Sequence, residues 1–210
     1  MSSGPVRSGA IPRRSLLAEL TCILCNEVSF LLFWESEKTI FINYLTLVAS
    51  MRIKRNTLLK KMKHLRKRWD STIGSIIEKG LESEPISQKW YLKDVIAHIT
   101  WYDRELLNAL EAKSIVDSSF WNMDVEARNE MIFKNTQDRT IEELLQESKE
   151  IFEGLLKAIE LIGEDDLNSE VYIKRKEGTR VTHDFIGGIT FWHYEEHEDI
   201  LVDLFDLDYM

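Results

Sequence analysis

The chain has 210 residues, enough for one domain with a core of its own and too few for a second full one. Its 44% hydrophobic and 30% charged residues are those of an ordinary globule, and three prolines with nine glycines are too few for a turn-rich all-β fold. A net charge of −9 argues against a protein that binds nucleic acid over its whole surface.

Residues 1–50 carry both cysteines, Cys22 and Cys25, so no disulfide framework staples the fold and a reducing, cytoplasmic setting is expected. The C-x-x-C pair stands alone among apolar residues, which favours a packing role over a redox or metal role. The longest charge-free run, "TIFINYLTLVASM", has 13 residues against the ~20 of a membrane-spanning helix, so no membrane association is expected. Glu19 interrupts the apolar stretch that would otherwise resemble an export signal. An orderly apolar period begins only after Met51. Residues 1–50 therefore read as an N-terminal extension outside the natural protein, and 51–210 as the domain.

Residues 51–70 hold nine basic residues and one acid, whereas the 140 residues beyond hold 14 basic and 31 acidic ones. Leu58, Leu59, Met62, Leu65 and Trp69 recur through the basic block at helical spacing. It therefore reads as the solvated face of a first helix, from Asn56 to Lys79 with Gly80 closing it, and nucleic-acid binding is not expected. A second helix follows "ESEPISQKW", with Ser87 as its cap and Trp90, Val95, His98, Tyr102, Leu106 and Ala109 along one face.

The next stretch, "SIVDSSFWNMDVEARNEMIFKNTQD", is a long crossover with a short helix near Val125–Phe133. Its Phe120, Trp121 and Phe133 are read as apolar surface open to a partner. Thr140 and Glu143 form a capping box that starts a third helix, which runs through Leu144, Phe152, Leu155 and Ile159 and stops at Gly163. "VYIKRKEGTRVT" then predicts a small hairpin or extended excursion. A fourth helix runs from Thr182 to Phe205, with Ile186, Ile189, His193, Ile200, Leu201 and Leu204 on its apolar side. Gly187 and Gly188 weaken its start; either they allow a close backbone approach or the regular helix begins near Thr190. The expected fold is all-α, an antiparallel four-helix bundle with long crossovers.

Of the five histidines, His64 falls in the solvated basic block and His183 at a helix start. His193 and His197 are four apart on the inward side of the last helix, and His98 interrupts the apolar face of the second in the same way. Three inward histidines need either separate hydrogen-bond partners or a shared ion. A His₃ set suits Zn²⁺, Ni²⁺, Fe²⁺ or Mn²⁺ with positions left open. Spacing alone does not choose between the two.

"WYLKDVIAHITWYDRELL" and "ITFWHYEEHEDIL" resemble the second-helix Trp/His signature and fourth-helix H-x-x-x-H of the DinB/YfiT-like superfamily, over about residues 51–210. The resemblance implies a four-helix bundle whose His98, His193 and His197 bind a divalent metal. It further implies, on the pattern of bacillithiol transferases and mycothiol-dependent isomerases, transfer of a low-molecular-weight thiol to an electrophilic small-molecule substrate. A metal ligand would turn a thiol of pKa ~8.5 into thiolate at neutral pH. The alternatives are a non-catalytic metal-binding or stress-response bundle and a hydrolase using metal-bound water.

Among the surrounding acids, Asp94 is placed to accept the second ring N–H of His98, or else simply to favour the helix start. Glu195, Glu196, Glu198 and Asp199 are expected to be mostly solvated. Trp101, Tyr102, Trp192 and Tyr194 could line a pocket mouth.

Overall fold

Helices account for all regular structure in the computed structural model, which describes residues 52–87, 89–176 and 178–208. The expected extension at 1–50, with Cys22 and Cys25, lies outside the described residues. In chain order the helices are α1 (Arg55–Glu78), α2 (Leu92–Ala112), α3 (Val125–Thr136), α4 (Ile141–Glu160), α5 (Glu164–Leu167), α6 (Thr182–Ile189) and α7 (Phe191–Phe205). Among the described residues no helix is long and apolar enough to cross a membrane.

The apolar period in the sequence becomes the core directly. Leu58, Met62, Leu65, Trp69, Ile73 and Ile76 of α1 are buried, and the lysines between them, Lys60, Lys61, Lys63 and Lys67, are exposed, as is His64. Arg66 departs from that solvated face: it is 6% exposed and belongs to a polar group in the core. Gly80, at φ +66°, ends α1; the N–H groups of Gly80 and Leu81 reach back to the carbonyls of Ile77 and Ile76 at 2.9 and 3.0 Å, and a side chain there would be strained. Helix α2 packs mainly on α4, and α1 on α7.

Ser87 does not cap α2. The helix starts four residues later, with Tyr91 in the cap position and its N–H donating to Asp94 Oδ2 at 2.9 Å. The predicted capping box of α4 is present, with Glu143 N–H on Thr140 Oγ1 at 3.2 Å and Thr140 N–H on Glu143 Oε2 at 3.0 Å. The helix ends at Glu160, and Gly163 instead precedes the short α5. Between α5 and α6 the described residues form an irregular, bent excursion with no hairpin. The Ser169 carbonyl closes its base by accepting from the N–H and Oγ1 of Thr182, both at 2.9 Å, and a bridge between Lys174 and Ser114 ties it to the end of α2.

The last helical stretch, expected as one helix, is two. Thr190, at φ −105° and ψ −99°, separates α6 from α7. Gly187 permits the bend: a Cβ there would lie 2.6 Å from Cζ of Phe191. The break shifts the helical phase of every residue beyond it. On α7 the deepest stripe is Phe191, Tyr194, Glu198, Leu201 and Val202, and the histidines sit on its shoulder. Glu198, expected to be solvated, is 2% exposed for this reason.

Candidate metal centre

His98 comes from the middle of α2, and His193 and His197 from successive turns of α7. His98 is 6% exposed, while the α7 pair is half-buried and leaves the cluster an open side. Their rings converge through the same atom. His193 Nε2 lies 2.9 Å from His98 Nε2 and 3.2 Å from His197 Nε2, and ligand atoms of all three lie within 4.8 Å of one another. Nitrogens bound ~2.0–2.1 Å from one tetrahedral ion stand about 3.3 Å apart, so the spacing fits a shared cation.

The far sides of the rings are poorly satisfied: Nδ1 of His193 and Nδ1 of His98 are both buried without a hydrogen-bond partner. Asn129 of α3 lies beside the His98 ring and opposes the lowering of its pKa by burial, and Asn129 Oδ1 is likewise buried without a hydrogen-bond partner. Three Nε2 atoms therefore meet at one point while the Nδ1 atoms of two of the rings stay buried and unpartnered, an arrangement that a cation on the Nε2 side stabilises.

Protonating the rings is no remedy. Burial, followed by the neighbouring rings of His193 and His197, holds His98 well below the usual histidine range. Burial and then His197 do the same to His193, and burial pushes His197 down to about 4. At neutral pH all three are neutral imidazoles, the form that ligates metals.

Aromatic rings enclose the cluster. Trp90 lies 5.3 Å from His98, and Tyr102 lies 4.8 Å from His98 and 5.1 Å from His193, centroid to centroid. Phe120 packs on Tyr102 at 5.0 Å and is 3% exposed, and Trp121 packs behind it. These crossover residues, read from the sequence as apolar surface, are instead the cover of the site. Arg128 clamps that cover: its guanidinium donates to the carbonyls of Phe120, Trp121 and Met123. The next residue is Asn129, so the first two turns of α3 both clamp the cover and place a polar side chain beside His98.

The residues next to the α7 histidines anchor the helix. Tyr194, after His193, donates its hydroxyl to Asp103 of α2. Glu198, after His197, accepts from Thr72 Oγ1 at 3.1 Å and pairs with Arg68 at 3.0 Å, both on α1. Tyr194 is fully buried and lines no pocket mouth. Asp94 is occupied at the start of α2, and no hydrogen bond joins it to His98 among the described residues; the polar side chain beside the ring is Asn129, which nothing in its local sequence marks. His183 stays out of the cluster, buried with Nδ1 3.0 Å from the Leu167 carbonyl.

The family model of the DinB superfamily matches residues 61–200, a span that contains all three histidines and Asn129. No curated protein and no solved structure matches the chain.

Proposed function

The chain belongs to the DinB superfamily, and from that premise we propose that it is a divalent-metal protein whose His98, His193 and His197 hold the ion for transfer of a low-molecular-weight thiol to an electrophilic small molecule. The observation that carries the metal is the meeting of three histidine Nε2 atoms, that of His193 standing 2.9 Å from that of His98 and 3.2 Å from that of His197. In this reading α1, α2, α4 and the α6–α7 stretch form an antiparallel four-helix bundle, with the site between α2 and α7. A cytoplasmic setting suits a thiol co-substrate, and a homodimer is part of the reading on the family likeness alone.

A divalent ion at this place supplies Lewis acidity that favours thiolate over thiol at neutral pH. The remaining work falls to the protein. His98, His193 and His197 present neutral nitrogens from one side only, and the half-buried α7 pair leaves the other side for substrate. Tyr102, Phe120 and Trp121 keep water from the deep side of the site, and the apolar wall they form suits an electrophile with little polar surface.

The test is metal analysis of the purified protein and of His193→Ala. The native chain should carry about one divalent ion per protomer, and the variant should lose it with its helical content and melting largely kept, because the core residues hold the helices together. Thiol transfer to a model electrophile should follow metal content and return only in the native protein on reloading. Stoichiometric metal without transfer would favour a non-catalytic protein, and undiminished transfer by His193→Ala would overturn the proposal.

A further inference from the structure

The excursion between α5 and α6 carries two arginines whose surroundings make little sense without a ligand. Arg175 lies over the ring of Phe185, with Cζ 4.2 Å from the centroid. Its Nε and Nη2 are buried and have no hydrogen-bond partner. A guanidinium is a fork of fixed donors, and two adjacent N–H groups left empty away from water are costly. Burial lowers its pKa, and the second cation Arg180 lowers it further. Arg180 is also drawn below its usual value by burial, and Asp184 offsets this in part. Asp184 is shared with His183, whose Nε2 stands 3.4 Å from its carboxylate.

Space has been kept for this pair. A Cβ on Gly188 would stand 3.0 Å from Nη2 of Arg180, so the guanidinium rests against the bare backbone of α6. The residue after Gly188 is Ile189, whose backbone lies one turn before His193 and acts on its ring. From the other arginine, ring contacts lead to the same place: Phe185 to Trp121 at 5.5 Å, Trp121 to Tyr102 at 6.1 Å, and Tyr102 to His193 at 5.1 Å.

We infer that Arg175 and Arg180 form a binding site for a small oxyanion, a carboxylate or a phosphate, at the α6 side of the histidine cluster. An oxyanion has the geometry to take the two empty N–H groups of Arg175 in parallel and to relieve its repulsion from Arg180. The site needs no metal. Its use as the anchor for the charged end of a substrate does rest on the proposed function, and such a substrate would carry its anionic group away from the reacting centre, with the aromatic wall between.

Anion binding to the metal-free full chain tests this, with inorganic phosphate and succinate titrated separately at ionic strength held constant with chloride. The arginine Nε–H signals of the ¹⁵N-labelled native protein should shift saturably with at least one of them. Affinity should fall at least tenfold in Arg175→Gln and Arg180→Gln. Response to phosphate alone assigns a phosphoryl ligand, and response to succinate alone a carboxylate. His193→Ala should bind the anion as the native chain does, and both arginine variants should still take up metal, so the two proposals fail separately. Absence of any saturable shift in the native protein overturns the inference whether or not the variants fold; so does equal affinity in native and variant chains.

Discussion

Tyr194 donates its hydroxyl to the carboxylate of Asp103, and both side chains are completely shielded from water. The pair ties α7 to α2 one residue beyond a candidate metal ligand. Arg66 of α1 stands 4.0 Å from the same carboxylate and donates to the Ser148 carbonyl of α4 at 3.3 Å, so one polar group reaches four helices. Burial raises the Asp103 pKa to about 7, against the opposing effects of Tyr194 and Arg66.

That shift has a sign in stability. The unfolded carboxyl ionises near 3.8 and the folded one near 7, so between them the native state holds one more proton. The contribution of Asp103 to stability therefore falls as pH rises from about 4 to about 7, and is level above. The three histidines act in the opposite direction over part of this range, so the comparison must be between variants. Urea midpoints at pH 5 and pH 8 should show Asp103→Asn losing this pH-dependent component while the amide still accepts from Tyr194. An unchanged pH profile in the variant would contradict the assignment.

Asn129 should matter to metal and little to folding. Asn129→Leu keeps the size and removes the polar neighbour of His98, so metal affinity of the protein is expected to drop about 10–100-fold. Asn129→Asp keeps a polar oxygen there and should restore most of it; equal metal affinity in the native and leucine chains would show that His98 does not depend on this neighbour.

Arg68→Ala should be far more damaging than Lys67→Ala, its exposed neighbour. It strips the partner from Glu198, whose carboxylate is buried and would keep only Thr72. A loss of about 2–3 kcal/mol is expected in chemical denaturation, against about 0.5 kcal/mol or less for Lys67→Ala. Equal losses would show that Glu198 does not depend on the pair.

The adjacent glycines should respond differently to alanine. At Gly187 the new methyl meets the Phe191 ring at 2.6 Å inside the α6–α7 bend, which should cost about 1–3 kcal/mol. At Gly188 it meets only the far end of the Arg180 side chain, which can turn aside, so Gly188→Ala should be near neutral in melting temperature.

The periodic positions of α1, α2 and α4 and the identity of the three histidines were legible in the sequence because each depends on local spacing. Leu58, Met62, Leu65 and Trp69 on α1, or Thr140 with Glu143 at the start of α4, act within one or two turns, and the chain states them directly. The pairing of His98 with the α7 histidines was legible as well, through the family pattern carried by "DVIAHITWY" and "FWHYEEHEDI". What only the tertiary structure decided depends on residues far apart in the chain or on a change of helical phase. The break at Thr190 turned Glu198 inward and moved the histidines to the shoulder of α7, and a continuous 3.6-residue period projected through Gly187 could not anticipate it. Asn129 of α3 came to lie beside His98, whereas the carboxylate of Asp94, four residues before it, was already taken by the Tyr91 N–H. Hydrophobic spacing fixes which face of a helix is buried; which polar groups then meet depends on how the helices dock, and no local pattern encodes that.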